Sequence, residues 1–462
     1  MKRIAFILSF VLMAVLSIAQ DDSVRLDISG QLLSDQRVLM NADKDWAWNE
    51  NRLTLNLDKT ITNYAKFHGE LWVRNLGLPS YYRMSAIYNK GIVDPVSYEI
   101  REAYVQVNNF LINGLDATFG RQIIHWGTAD KINPTDNINP LDLEDVLDFG
   151  RRRGTDAIRL DYYFGNNFSV EAVAVPFFRP ANLPVGIYAN LLSPQDYIQL
   201  PQGLTMESFT DSLIMPAHNL GNQLNLGFRI KGNVAGFDLS VSYLHGRETL
   251  PMIRDLDLTP DMQGNTDVIA DFYYPRVNII GADMAGNIAG IGVWAEGAAF
   301  MPEEDLTITT RVHTWDLNQL PPQPITLTQD TIVQEKNKPY FKYVLGADYN
   351  FPYDIYLNFQ FIHGFLHERF KGQLNDYYFL RLEKTFFYGK LKIAPISGGL
   401  IVSDYKDLKN NYSVIYLPQV IYQPTINTEI TLSAGIFGGK GKNLFSRLND
   451  MDLLMLSVKY EF

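Results

Sequence analysis

Along much of the chain, apolar and polar residues alternate one for one. Leu53, Leu55 and Leu57 oppose Arg52, Thr54 and Asn56. Leu224, Leu226, Phe228 and Ile230 oppose Gln223, Asn225, Arg229 and Lys231. Ile430, Leu432, Ala434 and Ile436 oppose Glu429, Thr431 and Ser433. A period of two with one apolar face predicts strands that meet lipid or a core on that side. About eighteen such segments follow one another: 24–33, 50–58, 64–76, 97–109, 115–123, 155–163, 167–177, 221–231, 235–245, 274–284, 288–300, 340–350, 354–363, 375–386, 389–401, 412–423, 426–437 and 452–462. In the last of them Leu454, Leu456, Val458, Tyr460 and Phe462 share one parity; Ser457, Lys459 and Glu461 share the other. A strand that stays amphipathic to its final residue predicts closure against the first strand, because a ring leaves no unpaired edge in lipid.

The connections alternate in length. Short ones near 60–63, 112–114, 165–167, 232–236, 286–287, 351–354, 388–389 and 423–425 each hold Gly, Asn or Pro, as tight hairpins require. Between them lie long polar stretches at 34–49, 77–96, 124–154, 178–220, 246–273 and 301–339. The pattern predicts an all-β, transmembrane, antiparallel up-and-down β-barrel of about 18 strands, with 16 as the alternative. Its short turns face the periplasm and its long loops the exterior. A soluble propeller would repeat every 40–50 residues or so, and no such self-similarity is present. A sandwich of this length would need a linker between two domains, and none interrupts the strands.

Lys2 and Arg3, the apolar run from Ile4 to Ile18 and the small residues Ser17 and Ala19 form a signal peptide over 1–19. The mature part, 20–462, is then a single barrel domain in the outer membrane of a Gram-negative bacterium. Hydrophobic residues make up 46% of the chain, a soluble-looking value that a barrel reaches by averaging its two faces. The aromatic content, 13%, suits interfacial girdles. There is no cysteine, which excludes a disulfide-stapled secreted fold. The formal charge is −11, and losing Lys2 and Arg3 makes it more acidic, which argues against nucleic acid as a partner. The expected partners are outer-membrane lipid and lipopolysaccharide, small-molecule solutes, and the barrel-insertion machinery, whose C-terminal signal the strand ending in Phe462 resembles.

The polar parity of the strands should face the lumen. It carries Arg52, Lys66, Glu70, Arg74, Glu102, Arg159, Arg229, Arg381 and Glu383, among other charges of both signs in balance. A wet interior without strong ion selectivity follows. The stretch 124–154 stands apart. Trp126 opens it; Asp130, Asn133, Asp136, Asn139, Asp142, Glu144 and Asp145 fill its middle; Arg151, Arg152 and Arg153 close it. As the third loop it either folds inward as a constriction, with acids facing arginines across the pore, or stays outside as a salt-bridged external loop. Its oxygen ligands also leave calcium open at 130–145, although the EF-hand order is missing.

Gly120-Arg121-Gln122, then Trp126-Gly127, then Asn133-Pro134-x-Asp136 resembles a motif of porin-like bacterial outer-membrane proteins, largely uncharacterised. The likeness covers about twenty residues and implies a passive or weakly selective channel. The expectation is therefore a porin-like channel for small polar or charged solutes. A transporter of hydrophobic substrates is the alternative, since Phe177, Phe178, Pro180, Ile187, Tyr188, Leu191 and Leu192 make one loop apolar. A non-conducting anchor is the third possibility. No G-x-S-x-G, H-E-x-x-H or S-x-x-K set presents itself, so no enzyme and no cofactor are expected.

Overall fold

The structure, a computed structural model, describes residues 26–462 except 42, 78–82, 166, 194, 196, 197, 199, 317 and 442. The signal peptide expected over 1–19 falls outside the described residues.

The wall is built from β1 (Asp27–Leu39), β2 (Trp46–Thr62), β3 (Ala65–Leu76), β4 (Val96–Val107), β5 (Leu115–Gln122), β6 (Thr155–Phe164) and β7 (Phe168–Val175). A loop strand, β8 (Thr205–Ile214), leaves the wall, and β9 (Asn225–Val234) and β10 (Phe237–Arg247) resume it. After β11 (Met252–Pro260) and β12 (Asn265–Tyr273) come the wall strands β13 (Arg276–Ile288) and β14 (Ile291–Pro302). β15 (Leu306–Asp316) and β16 (Gln323–Gln334) again leave the wall. It is completed by β17 (Tyr340–Phe351), β18 (Ile355–His363), β19 (Asp376–Phe386), β20 (Leu391–Val402), β21 (Tyr412–Tyr416), β22 (Gln419–Thr425), β23 (Thr428–Lys440) and β24 (Leu453–Glu461).

Every wall strand pairs antiparallel with its neighbours, and β21 and β22 are two halves of one strand interrupted at Leu417-Pro418, between β20 and β23. The nineteen segments of this sheet are therefore eighteen barrel strands. β24 closes the ring on β1 from Gln31↔Glu461 to Leu39↔Leu453. Phe462 extends the closure by exchanging backbone hydrogen bonds of 2.9 and 3.0 Å with Gly30. A Cβ on Gly30 would sit 2.3 Å from Thr54 O of β2 and 2.7 Å from the Phe462 ring, so the seam needs a glycine there.

The parity read from the sequence holds. Leu226, Phe228, Ile230, Leu239, Val241, Tyr243, Leu454, Leu456 and Val458 are exposed on the outside, whereas Arg229, Ser240 and Ser242 are buried within. Backbone bonds closed into a ring and an apolar outer face are what a hydrocarbon layer demands.

Two expectations need correction. The loops at 178–220, 246–273 and 301–339 are not plain polar connections. They contribute β8, β11, β12, β15 and β16, a separate five-stranded sheet in the order β16-β15-β11-β12-β8, with β11–β15 and β12–β8 parallel. One face of that sheet is a small core of Leu256, Leu258, Val268, Ala270 and Phe272, so it has its own reason to fold. The lumen is also not wet throughout. Val344, Ile362, Tyr377, Ile401, Ile415, Phe437 and Leu453 pack inside against Tyr188, Leu191, Phe365, Phe445 and Leu448 from the loops. Loops that fold inward displace water, and inward-facing strand positions near them then favour apolar side chains.

Candidate functional site

Strand β5 ends at Gln122, and the chain turns into the barrel. Asn139, 1% exposed, fastens both ends of the inward loop. Its Oδ1 accepts from Ile124 N at 2.7 Å, and its Nδ2 donates to Gln122 O at 3.0 Å and Arg153 O at 2.8 Å. The glycines of the motif have local causes. A Cβ on Gly120, at φ +125°, would lie 2.4 Å from Ala103 O; one on Gly127, at φ +92°, would lie 2.4 Å from Glu296 Oε2.

The loop is held on three sides of the wall. Trp126, 1% exposed, donates from Nε1 to Glu171 of β7 at 3.0 Å, and Arg229 of β9 lies over its ring at 5.4 Å. Glu171, fully buried, also accepts from Arg229 at 2.9 Å and Lys231 at 3.1 Å. On β14, Glu296 receives Thr128 N at 3.0 Å, Ala129 N at 3.1 Å, Asn133 Nδ2 at 3.4 Å, Thr135 N at 2.8 Å and Thr135 Oγ1 at 2.7 Å. Nearby, Asn358 and Gln360 of β18 donate to Asp130 at 3.0 and 3.3 Å.

The acidic middle of the loop meets arginines of β1, β3 and β4. Arg37 donates to Asp145 at 2.8 Å, Arg74 to Glu144 at 2.8 Å and Arg101 to Asp142 at 3.0 Å. Arg151 pairs with Asp142 at 2.8 Å and with Glu144 at 3.2 Å, and Arg152 pairs with Asp136 at 3.3 Å. Arg153 instead donates to Pro180 O at 3.0 Å. Burial pushes the Asp142 and Asp145 carboxyls up, but their arginines outweigh it and hold both below the usual range. The Tyr188 phenol, buried beside Arg37, is pushed up to about 12.

All the loop residues singled out from the sequence thus lie on one inward segment. Their arrangement differs from an open eyelet, because acids and arginines touch directly rather than facing each other across a gap. Asp142 and Glu144 each meet two guanidinium groups and share Arg151, whereas Asp145 meets Arg37 and Asp136 meets Arg152. Among the described residues, the one group of three or more potential metal ligands is His68, Glu70 and Glu102, with ligand atoms within 4.8 Å. Glu102 also accepts from Ile123 N at 2.7 Å, and Glu70 from Trp72 Nε1 at 2.6 Å.

The other wall residues face inward as read. Arg52 and Arg101 lie over the Trp72 ring at 4.0 and 4.3 Å. Arg159 pairs with Asp161 at 2.7 Å, Arg229 with Glu171, and Arg381 with Glu383 at 2.6 Å. Lys66 sits exposed beside the turn at the opposite end of the barrel from the long loops. Beside the loop, at β3–β5, is a cavity of about 260 Å³ lined by Arg74, Glu99, Arg121, Glu144, Arg153 and Arg179 together with Tyr98 and Ile100, whose side chains are exposed.

Glu171 was invisible as an anchor in the sequence. Its inward row, Ser169, Glu171, Val173 and Val175, is half apolar because it meets Trp126 and Ile138, so the parity of β7 is blurred.

Fold and site together define a lipid-spanning β-barrel with an inward-latched third loop. The chain belongs to the family described as protein of unknown function (DUF1302), which matches residues 93–412. Among solved structures, it is similar to Salmonella typhi OmpF in complex with daunomycin, at 10% identity, 95% of this chain, 97% of that one and TM-score 0.40. It is likewise similar to OmpT, an outer membrane protein of Vibrio cholerae, at 10% identity, 96% of this chain, 99% of that one and TM-score 0.41. No curated protein sequence matches the chain.

Proposed function

We propose that this protein is a channel of the bacterial outer membrane that passes small polar or charged solutes down their gradient. The carrying observation is the loop itself: it crosses the lumen, is tied to opposite walls, and sets its acids and arginines inside the barrel. A constriction of fixed charges in a low-dielectric frame selects by size and by charge placement. Direct ion pairing within the loop keeps the conducting space small.

Planar-bilayer recording tests this reading. The intact protein should give small ohmic steps, and deleting 128–150 should enlarge them several-fold. Absence of any conductance from the deletion variant, in a barrel that remains heat-modifiable on gels, would overturn it.

A second reading has its own observation. Trp126, Ile138, Val173, Ile279, Phe300 and Tyr340 form a buried apolar cluster inside the barrel beside the loop. That favours transport of hydrophobic substrates, for which the recording would show negligible conductance before and after the deletion.

A further inference from the structure

The wall has a gap beside β4. This strand pairs with β3 from Asn75↔Val96 to Ala65↔Val107, but with β5 only from Ala103↔Arg121 to Val107↔Ala117. β5 leaves the wall at Gln122 to enter the inward loop, and among the described residues no other strand takes its place beside residues 97–102. Side chains bridge the gap instead: Arg121 donates to Ile100 O at 3.2 Å, and Arg101 donates to Arg152 O. The cavity of about 260 Å³ lies here, and it is lined from both faces of β4. Glu99, paired with Arg101, and Arg74, paired with Glu144, belong to the lumen side. Tyr98 and Ile100 are 74% and 54% exposed on the outside. The cavity therefore sits in the thickness of the wall, toward the end that carries the long loops.

Its lining is rich in arginine. Arg121 and Arg179 share one carboxylate, Asp156, at 3.1 and 2.6 Å. Arg153 donates to Pro180 O at 3.0 Å, and among the described residues no carboxylate lies within ion-pair distance of it. Arg74 and Glu99 are matched by their own partners. Three guanidinium groups against one carboxylate leave a surplus of two positive charges. Arg121 and Asp156 are partners in register on the outward parity of β5 and β6. The next outward pair is Phe119↔Ile158, two apolar side chains exposed on the lipid face. Surplus cations at the edge of a hydrocarbon layer are costly, and an anion supplied from the membrane relieves that cost.

From the open edge of β4, the cavity within it and the surplus of arginines, we infer that the gap is a docking site for the phosphate monoester headgroup of a membrane lipid. Such a group carries about −1.5 to −2 charge at neutral pH and offers three acceptor oxygens. That matches the surplus, and the guanidinium fork suits phosphate oxygens. Arg121, Arg153 and Arg179 take the headgroup, and the acyl chains run over Phe119 and Ile158. Basic pockets on membrane proteins recognise lipid headgroups by the same chemistry. Free phosphate satisfies only the first half of it and a neutral lipid only the second. The assignment goes beyond the channel reading and does not depend on it, because the gap faces lipid whether or not the lumen conducts.

Native mass spectrometry of the detergent-purified full barrel tests it. The probes are phosphatidic acid, phosphatidylglycerol and phosphatidylcholine with the same acyl chains, and inorganic phosphate as a competitor. Phosphatidic acid should bind at one per barrel, and the other two lipids at least about tenfold more weakly, the value of one charge-assisted hydrogen bond. Inorganic phosphate should displace phosphatidic acid only in about tenfold excess or more. Arg153→Gln and Arg179→Gln should each weaken phosphatidic acid by about tenfold, and both leave Asp156 its contact with Arg121. Heat-modifiable mobility shows that each variant is folded. No phosphatidic acid bound to the intact protein, equal binding of either other lipid, displacement by phosphate at equal concentration, or binding unchanged in both arginine variants would each overturn the proposal. Such a failure leaves the bilayer currents, and so the channel reading, unaffected.

Discussion

Glu296 is the point at which the loop can be released with one substitution. Replacing it with Ala removes the acceptor of five loop donors, three of them backbone N–H groups. Hydrogen bonds to a charged acceptor contribute roughly 1.5–3 kcal/mol each, and those sharing one carboxylate add incompletely. Loop docking should therefore weaken by about 5 kcal/mol, which at 1.4 kcal/mol per tenfold is more than a thousandfold in the open population. Amide hydrogen exchange read by mass spectrometry should show faster exchange in the peptide covering 128–135. Peptides from β1, β2 and β24 should be unchanged, because the ring does not depend on this contact. Bilayer recordings should show larger, noisier steps. Glu296→Gln retains one carbonyl and should fall between the two. If exchange over 128–135 is the same in Glu296→Ala as in the intact protein, the loop is not held by this carboxylate and the latch is wrong.

On the opposite wall, Arg37→Ala leaves the buried Asp145 unpaired and should cost roughly 3–5 kcal/mol of loop docking. The double variant Arg37→Ala with Asp145→Ala should recover part of it, read by the same exchange experiment. Asn139→Ala should loosen both ends of the loop together, speeding exchange at 123–125 and at 153–155, because one side chain ties both. Burial, then Lys342 and Arg369, depress the His367 imidazole to about 3. A released imidazole titrates near 6.5, so the docked segment binds fewer protons between those values and its stability falls as pH drops from about 6.5 toward 3. The heat-modification midpoint should decline from pH 7.5 to 5, and His367→Gln should flatten that decline.

How much was legible beforehand follows from what faces each side chain. The wall was readable because hydrocarbon on the outside enforces strict parity, as in β9 with Leu226, Phe228 and Ile230 outward and Arg229 inward. The special loop was readable because Trp126, the Asn-Pro steps and the arginine triplet depart from ordinary loop composition. Its destination was not. Whether Asp145 faces solvent or Arg37 is decided by residues more than a hundred positions apart. The apolar plug was hidden for a related reason: Leu453 and Val344 are inward, but an inward apolar residue looks like an error of parity until the loops that cover it are known. The outer five-stranded sheet was missed because its two hairpins, β11–β12 and β15–β16, and the single strand β8 lie in three separate loops and are joined only by the parallel pairs β11–β15 and β12–β8, which leave no local signature.

The central claim is that 124–154 lies inside the barrel against the β13–β14 wall. A Cβ placed on Gly281 of β13 would stand 3.1 Å from Thr135 Cβ of the loop, a few tenths of an ångström closer than the roughly 3.5–4.5 Å a disulfide uses, so a small outward shift of the loop brings the pair into bonding range, and the chain has no cysteine of its own to compete. The double variant Thr135→Cys with Gly281→Cys should therefore cross-link under mild oxidation in the folded protein, without prior unfolding, and the bilayer conductance should stay at its small value. Two thiols that remain free under oxidation and react readily with a membrane-impermeant maleimide from the outside would place the loop outside the lumen and contradict the account.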